Sequence, residues 1–178
     1  PYRSEKDVVE LVSLERNVSS YTISPQSMKI GGEKSGNTIR FTPPREGNYV
    51  VQINNGYERT ITVSYFKEEA VPTSGNVRYF AKGRHQLNRL TLKSNDILYL
   101  ETGAILEAAP PTEKPTLEVD WAGKKNYKSF IEGWDVQNVT IMGNGIIDTS
   151  GLDWHARAPM SFSLCKKLTI SGVTIVGA

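Results

Sequence analysis

Asp153, Trp154, His155 and Arg157 lie close together in the stretch Gly151-Leu152-Asp153-Trp154-His155-Ala156-Arg157. An indole can stack on the face of a pyranose ring, while Arg and Asp can reach its hydroxyls or a uronate carboxylate. These four residues form the candidate substrate-binding set, for a polysaccharide or oligosaccharide. A loop merely held together by Trp154 is the alternative. Asp120-Trp121 is a second candidate for the same chemistry. Cutting a glycosidic bond takes two carboxyl groups flanking it, one acid and one base or nucleophile. No catalytic residue is assigned. Glu132 reads as a solvated charge at a strand edge. Asp148 reads as a corner cap, because Asp bonds nearby backbone amides in turns. His85 reads as a structural hydrogen-bonding residue at a corner. Cys165 is the only cysteine, so no intrachain disulfide can form. It reads as a small core residue, with no His beside it to complete a nucleophile pair. No set of Cys, His and carboxylates has metal-site spacing. Gly143-Asn144-Gly145 lacks the helix that an anion-binding loop needs. No metal and no cofactor is expected.

The elements that must hold these loops are strands. Asn138-Val139-Thr140-Ile141-Met142-Gly143-Asn144-Gly145-Ile146-Ile147-Asp148 and Lys167-Leu168-Thr169-Ile170-Ser171-Gly172-Val173-Thr174-Ile175-Val176-Gly177 share one grammar, 29 positions apart. A third, fainter copy begins at Arg89-Leu90-Thr91-Leu92, 49 positions before Asn138. Short strands recurring at a period of roughly 20–50 residues indicate a solenoid, in which neighbouring repeats bury each other's apolar faces. Val139, Ile141, Ile170 and Ile175 should then stack inward and Thr140 and Thr169 face outward. Gly143, Gly145 and Gly172 should serve tight corners. The loop from Ala108 to about Tyr127 is a corner insertion, and Trp134, just before a strand, is expected in the core.

Upstream, Tyr21–Ser24, Asn37–Thr42, Tyr49–Ile53 and Arg59–Tyr65 read as short strands punctuated by turn residues, with a hairpin signal at Asn54-Asn55-Gly56. Val8–Val12 fits a strand or one helical turn and is taken as a strand because its neighbours are strands. This text predicts a small β-sandwich. Residues 68–76, polar with Pro and Gly, read as a connector. The expected organisation is all-β, with a β-sandwich over 1–72 and a solenoid over 73–178.

Hydrophobic residues make up 38% and charged residues 22% of the chain, a globular rather than disordered balance. The net charge of +2, with acids and bases interspersed, points to no nucleic acid and no anionic membrane. No apolar run reaches the roughly 18 residues of a membrane span. Asn17-Val18-Ser19 matches the glycosylation acceptor pattern, but it reads as a chance match in a loop.

Residues 77–178 resemble the right-handed parallel β-helix enzymes that degrade polysaccharides. The clan is that of the polygalacturonases (glycoside hydrolase family 28) and the dextranases and isopullulanases (family 49). Three phrases carry the likeness. They are Tyr79-Phe80 with Gly83-Arg84-His85 and Leu90-Thr91-Leu92-Lys93-Ser94-Asn95; Leu98-Tyr99-Leu100-Glu101-Thr102-Gly103-Ala104-Ile105-Leu106; and the line from Asn138 to Asp148. Thr22-Ile23-Ser24-Pro25-Gln26-Ser27 and Gly47-Asn48-Tyr49-Val50-Val51 resemble the β-sandwich that precedes the β-helix in dextranase-like members. The resemblance implies hydrolysis of O-glycosidic bonds in polymers such as pectin or dextran by paired aspartates, and a secreted or periplasmic setting. The family's Asn-Thr-Asp, Asp-Asp, Gly-His-Gly and Arg-Ile-Lys segments do not occur here. The expectation is therefore an amino-terminal portion, a truncated solenoid that is inactive alone and prone to self-association through its exposed last coil. A polysaccharide lyase or epimerase on the same fold, and a non-catalytic carbohydrate-binding or adhesion module, are the alternatives.

Overall fold

The computed structural model describes residues 7–56 and 60–177. The chain divides into two compact units between Lys67 and Glu68. Among the described residues there is no α-helix; the one helical turn is a 3-10 turn at Gln26–Met28.

The first unit holds two antiparallel sheets of three strands. In one, β1 (Val9–Val12) and β3 (Gly32–Ser35) flank β4 (Thr38–Phe41). In the other, β2 (Tyr21–Ser24) and β6 (Thr60–Tyr65) flank β5 (Gly47–Ile53). Alternation along β4 and β5 sends Ile39, Phe41, Tyr49, Val51 and Ile53 into one shared core. β3 was not anticipated, because Gly32-Glu33-Lys34-Ser35 carries no apolar alternation. Gly32 lets this edge strand approach closely: a Cβ there would lie 3.0 Å from the Arg40 carbonyl oxygen. Asn54 and Asn55 both take φ of 54°, the positive values that a tight hairpin turn requires. Arg59, expected in the last strand, lies outside the described residues.

The second unit is built from three parallel sheets that the chain visits in rotation. β7 (Asn76–Phe80), β10 (Asp96–Leu100), β13 (Gln137–Gly143) and β16 (Lys166–Ile170) form the first. β8 (Gly83–Leu87), β11 (Ala104–Ala108), β14 (Ile146–Asp148) and β17 (Thr174–Val176) form the second. β9 (Leu90–Thr91), β12 (Ile131–Trp134) and β15 (Met160–Ser163) form the third. The first three circuits thus each lay one strand in each sheet, and the fourth adds β16 and β17. Side chains alternate, so Val139 and Ile141 are buried while Thr140 between them is not. One continuous core results, containing Leu98, Leu100, Leu106, Phe130, Ile131, Ile141 and Ile147. Each such side chain stabilises the unit by about 1.5–3 kcal/mol. Residues 68–72 belong with this unit: the Glu69 carbonyl accepts from Tyr99 Oη at 2.7 Å and its carboxylate accepts from the Gly143 N–H at 2.7 Å.

The register corrects one reading of the repeat. Val139 pairs with Leu168 and Ile141 with Ile170, the offset read between the two lines. Thr140, however, pairs with Ile97. The earlier counterpart of Asn138 is therefore Asn95, and Arg89-Leu90-Thr91 leads into a different sheet, beside β12. Asn95, Asn138 and Lys167 occupy one corner of successive circuits with φ of 68°, 57° and 55°. Asn138 Nδ2 donates to Asn95 Oδ1 at 3.1 Å. Gly143 combines φ of 101° with a backbone so close that a Cβ would lie 2.1 Å from the Leu100 carbonyl oxygen. Gly145 has no positive φ; close approach to Leu100 and Ala104 is what excludes a side chain there.

Candidate functional site

Three loops leave the same corner in successive circuits. Asn88-Arg89 joins β8 to β9, residues 109–130 join β11 to β12, and residues 149–159 join β14 to β15. Because β8, β11 and β14 are neighbours, and β9, β12 and β15 are neighbours, these loops stack on one another. The second and third are laced by backbone bonds from Tyr127 N to Ala156 O at 2.8 Å and from Phe130 N to Ala158 O at 2.9 Å. Arg157 spans all three. It donates to Lys128 O at 2.7 Å, to Glu113 Oε1 at 2.6 Å and to Asn88 Oδ1 at 3.4 Å.

Arg157 was expected to reach a sugar, and the structure places it elsewhere. Its side chain is 0% exposed and is committed to Glu113 and the Lys128 carbonyl. It braces the corner from within. Burial opposes ionisation of Glu113, but the Glu113 backbone N–H and the Arg157 guanidinium outweigh it and hold the carboxyl below its ordinary range.

Asp120 and His155, 35 positions apart, meet across the two longer loops, with His155 Nδ1 2.9 Å from Asp120 Oδ2. The Asp120 carboxylate also accepts from the backbone N–H groups of Ala122 at 2.8 Å and Lys124 at 2.9 Å, and from Asn126 Nδ2 at 3.2 Å. The Lys124 N–H, with His155, Asn126 and Ala122, holds the Asp120 carboxyl well below the usual carboxylate range against the opposing effect of burial. His155 has φ of 66°, a left-handed conformation that a non-glycine residue adopts at a cost and more often at functional positions. A carboxylate facing Nδ1 assigns that nitrogen as the donor.

Above this pair stand two indoles. Trp121 is 84% exposed and Trp154 is 50% exposed. Their ring centroids are 6.0 Å apart and nearly perpendicular. The His155 ring lies 3.8 Å from Trp154 and 5.1 Å from Trp121. Beside them opens a recess of about 230 Å³ lined by Gly123, Lys124, Lys125, Tyr127, Asp153, Trp154 and Ala156. The structure thus brings Asp153 and Trp154 to the recess wall, sets the His155 ring against Trp154, and joins Trp121 to the group. Lys124, Lys125 and Tyr127 were not anticipated. The run Lys124-Lys125-Asn126-Tyr127 was read only as the end of a loop, although basic residues flanking an aromatic were its available signal.

Other chemistry-bearing residues stay apart from this corner site or serve the framework. Trp134, expected in the core, is 71% exposed. Ile131 and Gly133 take the inward positions of β12, and alternation sends Trp134 outward. Glu132 is not a freely solvated charge: its carboxylate pairs with Arg89 and accepts from Thr91 Oγ1 at 3.3 Å. Asp148 Oδ1 accepts from the Ser150 N–H at 2.8 Å and the Ser150 hydroxyl at 2.6 Å, closing the turn after β14. His85 Nε2 lies 2.6 Å from the Ala81 carbonyl, within β8 rather than at a corner. Cys165 packs partly buried against the core with Sγ 3.3 Å from the Ser163 carbonyl. Among the described residues no three His, Cys, Asp or Glu side chains gather as metal ligands. No protein-family model matches the chain, and no curated protein matches it.

Proposed function

We propose that the chain engages a polysaccharide at the Trp121–Trp154 corner, as part of a glycoside hydrolase similar to the polygalacturonase and dextranase-isopullulanase clan. In this reading the three parallel sheets are successive coils of a right-handed parallel β-helix, the first unit is its preceding β-sandwich, and the protein works outside the cytoplasm. The rotation of strands through three sheets and the quoted phrases support the architecture.

The observation that carries the ligand is the pair of exposed indoles beside a polar recess. Trp121 is 84% and Trp154 50% exposed, side by side, and contiguous exposed aromatic patches mark binding surfaces. Covering roughly 80–100 Å² of indole with a sugar face contributes about 2 kcal/mol. Lys124 and Lys125 outnumber Asp153 in the recess lining, so an acidic polymer such as a galacturonan fits better than a neutral glucan.

Affinity electrophoresis in gels containing polygalacturonate or dextran tests this. Polygalacturonate should retard the protein more than dextran does, and Trp154→Ala should weaken retardation about 30-fold, the equivalent of about 2 kcal/mol. Migration unchanged by either polymer would overturn the reading.

A second reading, binding without cleavage, is favoured by one feature. Among the described residues lining the recess, Asp153 is the sole carboxylate, and hydrolysis takes two.

A further inference from the structure

We propose that Asp120 is the positioning residue of the tryptophan site, acting through His155 to hold both indoles as one surface. The inference rests on the carbohydrate reading for its ligand, but its geometry stands independently.

Trp121 and Trp154 belong to different loops, and each is attached to the Asp120–His155 pair by a single peptide step. Asp120 fixes its own hairpin by accepting from Ala122 and Lys124, which turns the chain directly after Trp121. Its other oxygen reaches across to His155. Asn126 doubles the link, donating to Asp120 and to the His155 carbonyl at 2.8 Å. The His155 ring then lies against both indoles. Two side chains largely open to water cannot hold a perpendicular arrangement by their mutual contact alone, since ordering exposed side chains costs entropy. The carboxylate beneath them supplies the order. Its place is specific: a carboxylate accepts four bonds from donors that an amide or an apolar side chain would leave partly unpaired.

The test uses the full chain carrying Trp134→Phe, so that Trp121 and Trp154 are the only indoles. Their coupling is read by near-UV circular dichroism without ligand, and binding by retardation in polygalacturonate. Asp120→Ala should abolish the coupled near-UV band and weaken retardation at least tenfold, with the far-UV spectrum unchanged. Two further variants remain informative if that one misfolds. His155→Asn, whose amide can still donate to Asp120 and which tolerates positive φ, should keep at least half the band. His155→Leu, similar in bulk but without a donor, should lose it. An Asp120→Ala protein with the parental band and parental retardation overturns the proposal, as does His155→Leu behaving like His155→Asn. If the parental protein binds neither polygalacturonate nor dextran while Asp120→Ala still erases the band, the positioning role stands and the carbohydrate reading falls.

Discussion

Arg157 Nη2 lies 2.6 Å from Glu113 Oε1, and the two residues belong to loops 44 positions apart that leave the same corner of adjacent circuits. Arg157 Nε and Glu113 Oε2 are both buried without a hydrogen-bond partner. The pair is therefore held by one strong contact, not two. The corner's geometry depends on it, because Arg157 also ties the Lys128 carbonyl and Asn88.

Removing one partner of a buried ion pair strands the other charge. Arg157→Met is expected to cost about 3 kcal/mol, the lower end for such pairs because Glu113 retains 26% exposure. Arg157→Met with Glu113→Gln should recover part of that loss. Urea unfolding of the single and double variants measures both values. Equal loss in the two would mean that packing of the Arg stem, not the charge, holds the loops.

The repeat was legible where strand geometry dictates it. Val139 and Ile141 had to point inward because a strand stacked between neighbours buries one face, and they are 1% and 0% exposed; Ile170 and Ile175, expected inward on the same ground, are 44% and 45% exposed. The offset between Asn138 and Lys167 was readable for the same reason. Shorter runs failed. Leu90-Thr91-Leu92 copies the grammar but lies in another sheet, since alternation fixes a face and not a sheet. Trp134 was misplaced because a shift of one residue reverses the face. The site itself was half visible. Trp154 and Asp120 could be named from type alone. Their meeting through His155 depends on two loops stacking at one corner, a fact of register that no local pattern encodes.

The corner held by Asn95, Asn138 and Lys167 yields a stabilising prediction. A left-handed backbone costs an ordinary residue roughly 1–2 kcal/mol, and Asn bears it more easily. Lys167→Asn would also let its amide continue the bond that Asn138 makes to Asn95. The variant should be more stable by about 0.5–1 kcal/mol. Leu164, with φ of 56° and 68% exposed, should respond alike to Leu164→Asn. Chemical denaturation midpoints decide the matter, and a lower midpoint for Lys167→Asn would show that Lys167 makes a compensating contact.

Asp120 sets the acid limit of the site. Its folded-state carboxyl is depressed by the Lys124 N–H and the further donors around it. A depressed carboxyl contributes stability that is fully present above the unfolded value, near pH 4, and is lost as pH falls through the folded value. The near-UV signal of Trp121 and Trp154 should therefore persist from neutral pH through pH 4 and fade only under stronger acid. In Asp120→Asn, whose amide leaves part of those donors unpaired, the signal should already be weak at neutral pH and no acid limb should remain. A parental signal fading between pH 6 and 4 would assign the transition to another group.

The last circuit offers a sharper contrast than any exposed loop. Leu168, Ile170 and Ile175 are 36%, 44% and 45% exposed, whereas their register partners Val139, Ile141 and Ile147 are 1%, 0% and 0% exposed. The difference is that another strand stacks on the latter and, among the described residues, none stacks on the former. β16 and β17 also present unpaired backbone groups along that edge, a template for further pairing. A protein of residues 1–178, with this edge open, is expected to self-associate there. Covering three half-exposed aliphatic side chains contributes about 1 kcal/mol each, and edge hydrogen bonds add direction. Sedimentation velocity across a wide concentration range should show reversible association of the parental chain. Leu168→Glu with Ile175→Lys should shift it to monomer, while Trp121→Ala should not. That last control separates the two apolar surfaces: if Trp121→Ala disperses the assembly and the edge variant does not, the aromatic corner is the self-contact. The parental chain's affinity for polysaccharide would then have to be measured on the monomer.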